Sequence, residues 1–208
     1  LIKYWGKHGL QLPRNPSLSF TLSACHTQMK LEVTPEASTP GLMVMYDGTP
    51  RPSFEQKIKT FFSLVSDRFP WLAQASVVID SVNTFPHGAG IASSASAMSA
   101  LALCLMDIHD QLHGSSHTPD VDWLCKASEV ARLGSGSACR SVYPVAALWG
   151  ESSGVAASSD AYAIPWGNEI ATVYQDYQDM ILIVSTKEKA VSSTAGHKLM
   201  EGLPYADT

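Results

Sequence analysis

The chain of 208 residues carries 14 Lys and Arg against 19 Asp and Glu, a formal net charge of −5, and 45% of its residues are hydrophobic. With only 16% charged residues and a mean hydropathy of +0.02, much of it must be buried: one ample core, or one domain plus part of a second, and not a disordered chain. The acidic balance excludes a general nucleic-acid binder, which would show a basic surplus. No nucleic-acid partner is expected, and any anionic ligand must be held by a few local cations.

The first fifty residues read as β. Leu18, Phe20 and Leu22 alternate with Ser19, Thr21 and Ser23, and Met29, Leu31 and Val33 alternate with Lys30, Glu32 and Thr34, the period of half-buried strands. Residues 41–46 follow, closed by an Asp47-Gly48 turn. Ser53 and Gln56 suggest a capping box for a helix whose apolar face is Phe54, Ile58, Phe61, Phe62, Val65 and Phe69, stopped by Pro70. The β-branched run 76–82 then leads through a glycine-bearing loop to a helix from Ser93 to about Leu112. Thr118-Pro119-Asp120, with Pro at the first helical position, starts another helix running toward Arg132. Met180 to Val184 predicts a buried strand.

Four cysteines, Cys25, Cys104, Cys125 and Cys139, show neither a Cys-x-x-Cys pair nor a zinc-finger spacing, and no signal peptide or run of 18 apolar residues is visible. A reduced, cytoplasmic protein without a membrane partner is the expectation. The chain opens on Leu1-Ile2-Lys3-Tyr4 without an initiator Met and stops at Tyr205-Ala206-Asp207-Thr208, so a cut at both ends is expected.

Three stretches carry chemistry. Pro86-His87-Gly88-Ala89-Gly90-Ile91-Ala92-Ser93-Ser94-Ala95-Ser96-Ala97 sets glycines, serines and alanines where a loop becomes a helix, so main-chain N–H groups and hydroxyls can approach an anion at the positive end of a helix. It is no Walker A loop, since no Gly-Lys-Ser/Thr follows, and the plain alternative is ordinary capping and close helix packing. Arg132-Leu133-Gly134-Ser135-Gly136-Ser137-Ala138-Cys139-Arg140-Ser141 reads as a second cradle, two arginines flanking four hydroxyl or thiol donors. Its alternative is a flexible Gly/Ser turn with solvated arginines. Lys3-Tyr4-Trp5-Gly6-Lys7-His8-Gly9 concentrates positive charge beside two aromatics, or is a strand end with solvated lysines. Two cradles predict two phosphorylated ligands, or a phosphoryl donor and an anionic acceptor.

Other patterns weigh less. His109 and His113, with Asp107, Asp110 and His117 nearby, can be drawn as a metal site, but the His-Glu-x-x-His pattern is absent. Neither Ser94 nor Ser137 lies in Gly-x-Ser-x-Gly, which argues against a hydrolase. Trp71, Trp123, Trp149 and Trp166 lack basic interleaving and read as core or interface.

Together, Ile2-Lys3-Tyr4-Trp5-Gly6-Lys7, Leu12-Pro13-Arg14-Asn15-Pro16-Ser17-Leu18-Ser19, Ile91-Ala92-Ser93-Ser94-Ala95-Ser96, Gly134-Ser135-Gly136-Ser137-Ala138-Cys139-Arg140-Ser141 and Val191-Ser192-Ser193-Thr194 closely resemble the diphosphomevalonate decarboxylase family of the GHMP kinase superfamily. The resemblance implies an α+β GHMP kinase fold. Residues 1–178 would form an N-terminal ATP-binding domain like ribosomal protein S5 domain 2, and 179–208 the beginning of a ferredoxin-like C-terminal domain. It also implies ATP and Mg²⁺ as cofactors, mevalonate 5-diphosphate as substrate and a homodimer as the assembly.

By the same resemblance Gly88, Gly90, Ser93, Ser94 and Ser96 would bind the ATP phosphates, with Ser94 the hydroxyl near Mg²⁺. Tyr4, Lys7, Ser135, Ser137 and Arg140 would hold the substrate, with Lys7 and the serines at its diphosphate and Arg140 at its carboxylate. Lys3 would sit near the reacting hydroxyl, and Ser192 and Ser193 would add an accessory contact. Arg140→Ala would then impair catalysis much more than stability. The family's late Asp-Ala-Gly-Pro-Asn motif, with its catalytic Asp, does not occur in the 208 residues, nor does an Asn just upstream of the opening motif. Truncation is the expected reason. A same-family alternative is a decarboxylase or 3-kinase acting on mevalonate 5-phosphate or mevalonate; from another class, a non-catalytic nucleotide- or anion-binding module.

Overall fold

The structure is a computed structural model that describes residue 4 and residues 6–87, 90–115 and 118–183. A hairpin of β1 (Lys7–His8) and β2 (Leu12–Pro13) comes first. The main sheet has four strands in the order β4-β7-β5-β6, from β4 (Thr27–Thr34), β5 (Gly41–Tyr46), β6 (Thr49–Pro50) and β7 (Ser76–Asn83). β4 pairs antiparallel with β7, from Thr27 opposite Asn83 to Thr34 opposite Ser76, and β5 pairs parallel with β7. The parallel pair needs a crossover, which α1 (Pro52–Leu64) supplies. A second, antiparallel sheet has the order β3-β8-β9, from β3 (Ser17–Phe20), β8 (Ala146–Trp149) and β9 (Ala163–Pro165).

The alternation read along β4 is present in the structure: Met29, Leu31 and Val33 are half-buried while Lys30, Glu32 and Thr34 face solvent. Two further helices, α2 (Ser93–Leu112) and α3 (Val121–Gly134), pack together; α2 lies on β4 and α1 on β5, while α3 reaches β9 of the second sheet. Small residues make this contact close. Ala102, Ala127, Val130 and Ala131 are fully buried, as are Leu101 and Leu105, and each buried leucine contributes about 1.5–3 kcal/mol. A short 3-10 helix, Gly136–Val142, follows α3 after Ser135 and lies against α2 and α3. Ser128 ties these layers together: its hydroxyl donates to the Cys139 carbonyl (2.8 Å) and accepts from the Ala163 N–H (2.9 Å), so this buried polar group is satisfied.

Four local expectations are corrected. The Ser53/Gln56 capping box does not form: Arg51 occupies the cap position without a side-chain bond and Pro52 opens the helix. Proline's fixed φ suits the first turn, where its missing N–H loses nothing, and Ser53 is thereby drawn inside the helix. α1 ends at Leu64, while Val65 and Phe69 stay buried through a turn and the 3-10 segment Pro70–Ala73. Asp120, not Thr118, caps α3 by accepting the Trp123 N–H at 2.8 Å, which leaves Pro119 outside the helix. Finally, residues 180–183 form no strand and are exposed, Met180 at 84% and Leu182 at 81%. A strand needs a ladder partner, and none pairs with this run among the described residues.

Candidate active site

A cavity of about 600 Å³ opens between the β1–β2 hairpin, α1, the start of α2 and the segment joining α3 to the 3-10 helix. Seven residues singled out from sequence line it, from three remote stretches: Tyr4, Lys7, Gly90, Ser93, Ser94, Ser135 and Ser137. Lys3, Gly88, Ser192 and Ser193 lie outside the described residues.

The first cradle is the N-terminus of α2. Its cap residue, Ala92, is held left-handed at φ 54° and offers no side-chain acceptor; its carbonyl instead accepts from the N–H groups of Ala95 (2.9 Å) and Ser96 (3.2 Å). The positive end of the α2 dipole therefore meets the cavity with small residues, Ser93, Ser94 and Ala95, around it. Ser94 Oγ accepts a hydrogen bond from Lys57 Nζ on α1. Ser96 does not line the cavity; its Oγ lies 2.7 Å from Thr27 Oγ1, which in turn donates to Asn83 Oδ1 at 2.8 Å. It orders the helix start from behind.

The second cradle is Ser135-Gly136-Ser137 at the end of α3. Gly136 permits a close approach: a Cβ there would meet the Trp149 ring at 3.1 Å and the Tyr4 hydroxyl at 3.4 Å. Of the two flanking arginines, Arg132 is absent from the cradle. Its guanidinium is buried, donating to the carbonyls of Ala161 (2.6 Å) and Leu10 (2.5 Å), because two inward carbonyls need a charged donor more than a solvent-facing anion site does. Cys139 is no donor to it either: fully buried, its thiol is pushed well up by burial and packs in the core. Ser141 is exposed and does not line the cavity.

Arg140 does not line the cavity but lies next to Tyr4, which does. Its guanidinium lies 5.9 Å from the ring centroids of both Tyr4 and Trp149, and Nη1 donates to the fully buried Ser17 Oγ at 2.7 Å. Burial lowers its pKa, yet a guanidinium keeps its charge throughout the working range. Burial pushes the Tyr4 phenol up to about 12, against the opposing pull of Arg140, so it is a neutral donor.

Electrostatics single out one further residue that the sequence did not: Lys57. Burial lowers its pKa, and Lys7 lowers it further; burial likewise lowers that of Lys7, whose Nζ donates to Gln11 Oε1 at 2.7 Å. Two ammonium groups thus face one cavity whose described lining contains no Asp or Glu. In sequence Lys57 is one of two lysines on an amphipathic helix, and nothing local separates it from Lys59. Of the histidine metal candidate, His117 lies outside the described residues, and among those described no three His, Cys, Asp or Glu cluster. His109 and His113 lie with ring centroids 4.2 Å apart, tilted at 41° to each other. Among the described residues no helix is long and apolar enough to cross a membrane.

The chain is similar to known proteins over most of its length. The model of the diphosphomevalonate decarboxylase-like N-terminal domain matches residues 1–163. Diphosphomevalonate decarboxylase of Ganoderma lucidum is 32% identical over 94% of this chain and 49% of its own length. The crystal structure of a mevalonate diphosphate decarboxylase from Legionella pneumophila superposes with a TM-score of 0.70 at 29% identity, covering 98% of this chain and 61% of that one. A structure of MDDEF in complex with MVAPP, AMPPCP and magnesium gives 0.57 at 31% identity, over 78% and 45%. The layered α+β fold is that of the GHMP kinases. Within that class the chain belongs to the diphosphomevalonate decarboxylase-like family, and it spans about half the length of the curated relatives it matches.

Proposed function

We propose that the protein catalyses the ATP-dependent decarboxylation of mevalonate 5-diphosphate to isopentenyl diphosphate, ADP, phosphate and CO₂. The observation that carries this reading is the single cavity in which two helix-end cradles and two lysines, Lys7 and Lys57, face space free of described carboxylates. Such a site is complementary to two polyanions. A tertiary alcohol is a poor leaving group, so the 3-hydroxyl is first phosphorylated. Its C–O bond then breaks, the carboxylate C–C bond supplies the electrons of the new double bond, and CO₂ and phosphate leave. Fixed cations and dipoles stabilise the charge that develops.

In this reading Gly88, Gly90, Ser93 and Ser94 bind the ATP phosphates with Lys57, and Ser96 keeps the first turn of α2 in place. Tyr4, Lys7, Ser135 and Ser137 hold the substrate, Lys7 and the serines at its diphosphate. Arg140 serves its carboxylate from beside Tyr4, Lys3 the reacting hydroxyl, and Ser192 and Ser193 an accessory contact. Mg²⁺ fits as a phosphate-borne ion: Ser94 supplies one hard hydroxyl oxygen, and phosphates and water the rest, as suits a metal that retains its waters. The ion would neutralise charge on the transferred phosphoryl group. Residues 1–178 make up the nucleotide-binding unit and 179–208 the beginning of the next. Release of CO₂ by the full-length protein, compared between mevalonate 5-diphosphate and the monophosphate, tests the proposal. ATP-dependent release with preference for the diphosphate is expected; preference for the monophosphate would reassign the substrate, and ATP binding without CO₂ would reduce the protein to a nucleotide-binding module.

A further inference from the structure

We propose that His87 is a positioning residue whose ring pins the loop that carries the phosphate-binding groups; this rests on the reading of the α2 N-terminus as the nucleotide-phosphate site. The connection between β7 and α2 is described at residues 84–87 and 90–92. At its upstream end Thr84 Oγ1 donates to the Ala24 carbonyl at 2.8 Å, the Thr84 N–H donates to the His26 carbonyl at 3.0 Å, and Phe85 is buried. At its downstream end Gly90 and Ala92 both take positive φ, +93° and +54°. For Ala92, which has a Cβ, that conformation is disfavoured and persists only where the surroundings hold it.

Between these ends stands His87. Its ring is 5.5 Å from Tyr46 at an interplanar angle of 61°, and 5.2 Å from Phe54 at 37°; Tyr46 and Phe54 are themselves 6.4 Å apart at 82°. The three rings come from the loop, the end of β5 and the first turn of α1, and all line the cavity. These are the tilted and edge-on contacts that aromatic rings prefer, and they fasten the loop to the opposite wall three residues before Gly90. With the chain anchored at His87 on one side and Ala92 left-handed on the other, the first turn of α2 is presented with a lower ordering cost for binding phosphate.

Three forms of the full-length protein, wild type, His87→Ala and His87→Phe, are titrated with Mg²⁺-AMPPCP and, separately, with mevalonate 5-diphosphate, and their melting temperatures are recorded. His87→Ala should weaken nucleotide binding about tenfold while diphosphate affinity stays within about twofold, and His87→Phe, which keeps the ring, should bind as wild type does. Unchanged nucleotide affinity in His87→Ala overturns the proposal, as does a His87→Phe protein as weak as His87→Ala, since the imidazole nitrogens would then be what matters. If His87→Ala does not fold, His87→Leu and Phe54→Leu decide by the same criterion. A wild-type protein that binds no AMPPCP would instead remove the reading of the site itself.

Discussion

Lys57 on α1 and Ser94 at the start of α2, 37 residues apart, are hydrogen-bonded across the cavity, the ammonium donating to the hydroxyl. The pairing places a cation on the hydroxyl assigned to the metal-bearing phosphates. It also explains how an acidic protein gathers anions: the charge is local, with Lys7 near enough to lower the pKa of Lys57.

Lys57→Gln should therefore weaken Mg²⁺-nucleotide binding about tenfold, with little loss of stability, because removing a partly desolvated charge offsets the lost hydrogen bond to Ser94. Lys57→Arg should recover part of the loss. Calorimetric titration of the three proteins checks this, and an unaltered affinity in Lys57→Gln removes Lys57 from the site.

A pH dependence follows from the same pair. Both lysines have pKa values below the ordinary 10.5, chiefly through burial. As pH rises they lose charge earlier than a free lysine, while the ligand phosphates stay fully ionised, so affinity for the polyanions should fall on the alkaline side before pH 10.5 is reached. The folded state, in contrast, gains from the same titration, since the unfolded chain holds these protons to higher pH. Binding measured across the alkaline range should lose part of its slope in Lys57→Gln; an identical profile in the variant would break the assignment.

Arg140→Ala was expected from sequence to cost catalysis far more than stability. The structure adds a stability cost, because the guanidinium donates to the buried Ser17 hydroxyl, which itself donates to the Trp149 carbonyl at 3.4 Å. Ser17 would keep its own bond to the Trp149 carbonyl but lose the Arg140 donor, which should destabilise the protein by about 1–3 kcal/mol. Urea unfolding measures it; Arg140→Lys should restore part of the stability and little of the turnover, since lysine lacks the planar fork.

Gly150→Ala should destabilise more. Gly150 has φ +107°, and an added Cβ would lie 2.6 Å from the Pro16 Cα, just before β3. Backbone cannot swing aside as a side-chain tip can, so a loss of about 3 kcal/mol or more is expected. Gly48→Ala, at φ +67° with nothing within 4 Å, should lose only about 1 kcal/mol. Similar losses in both thermal melts would refute the steric account.

What was legible in the sequence was local. The span of α2, Ser93–Leu112, and the alternation along β4 follow from propensity and pattern, and the family motifs lead to seven residues lining one cavity. What was hidden depends on partners remote in sequence. Arg132 looks like a ligand cation until the carbonyls of Leu10 and Ala161 are seen to claim it. Lys57 looks like a solvated helix lysine until Ser94 is placed opposite it. The run at Met180 looks like a core strand, but no described strand pairs with it.

Simultaneous occupancy tests the central claim most directly. With the full-length protein saturated in mevalonate 5-diphosphate, titration with Mg²⁺-AMPPCP should still give one nucleotide bound per chain, the two ligands sharing one cavity. Mutual displacement of the two, or no binding of either, would contradict it.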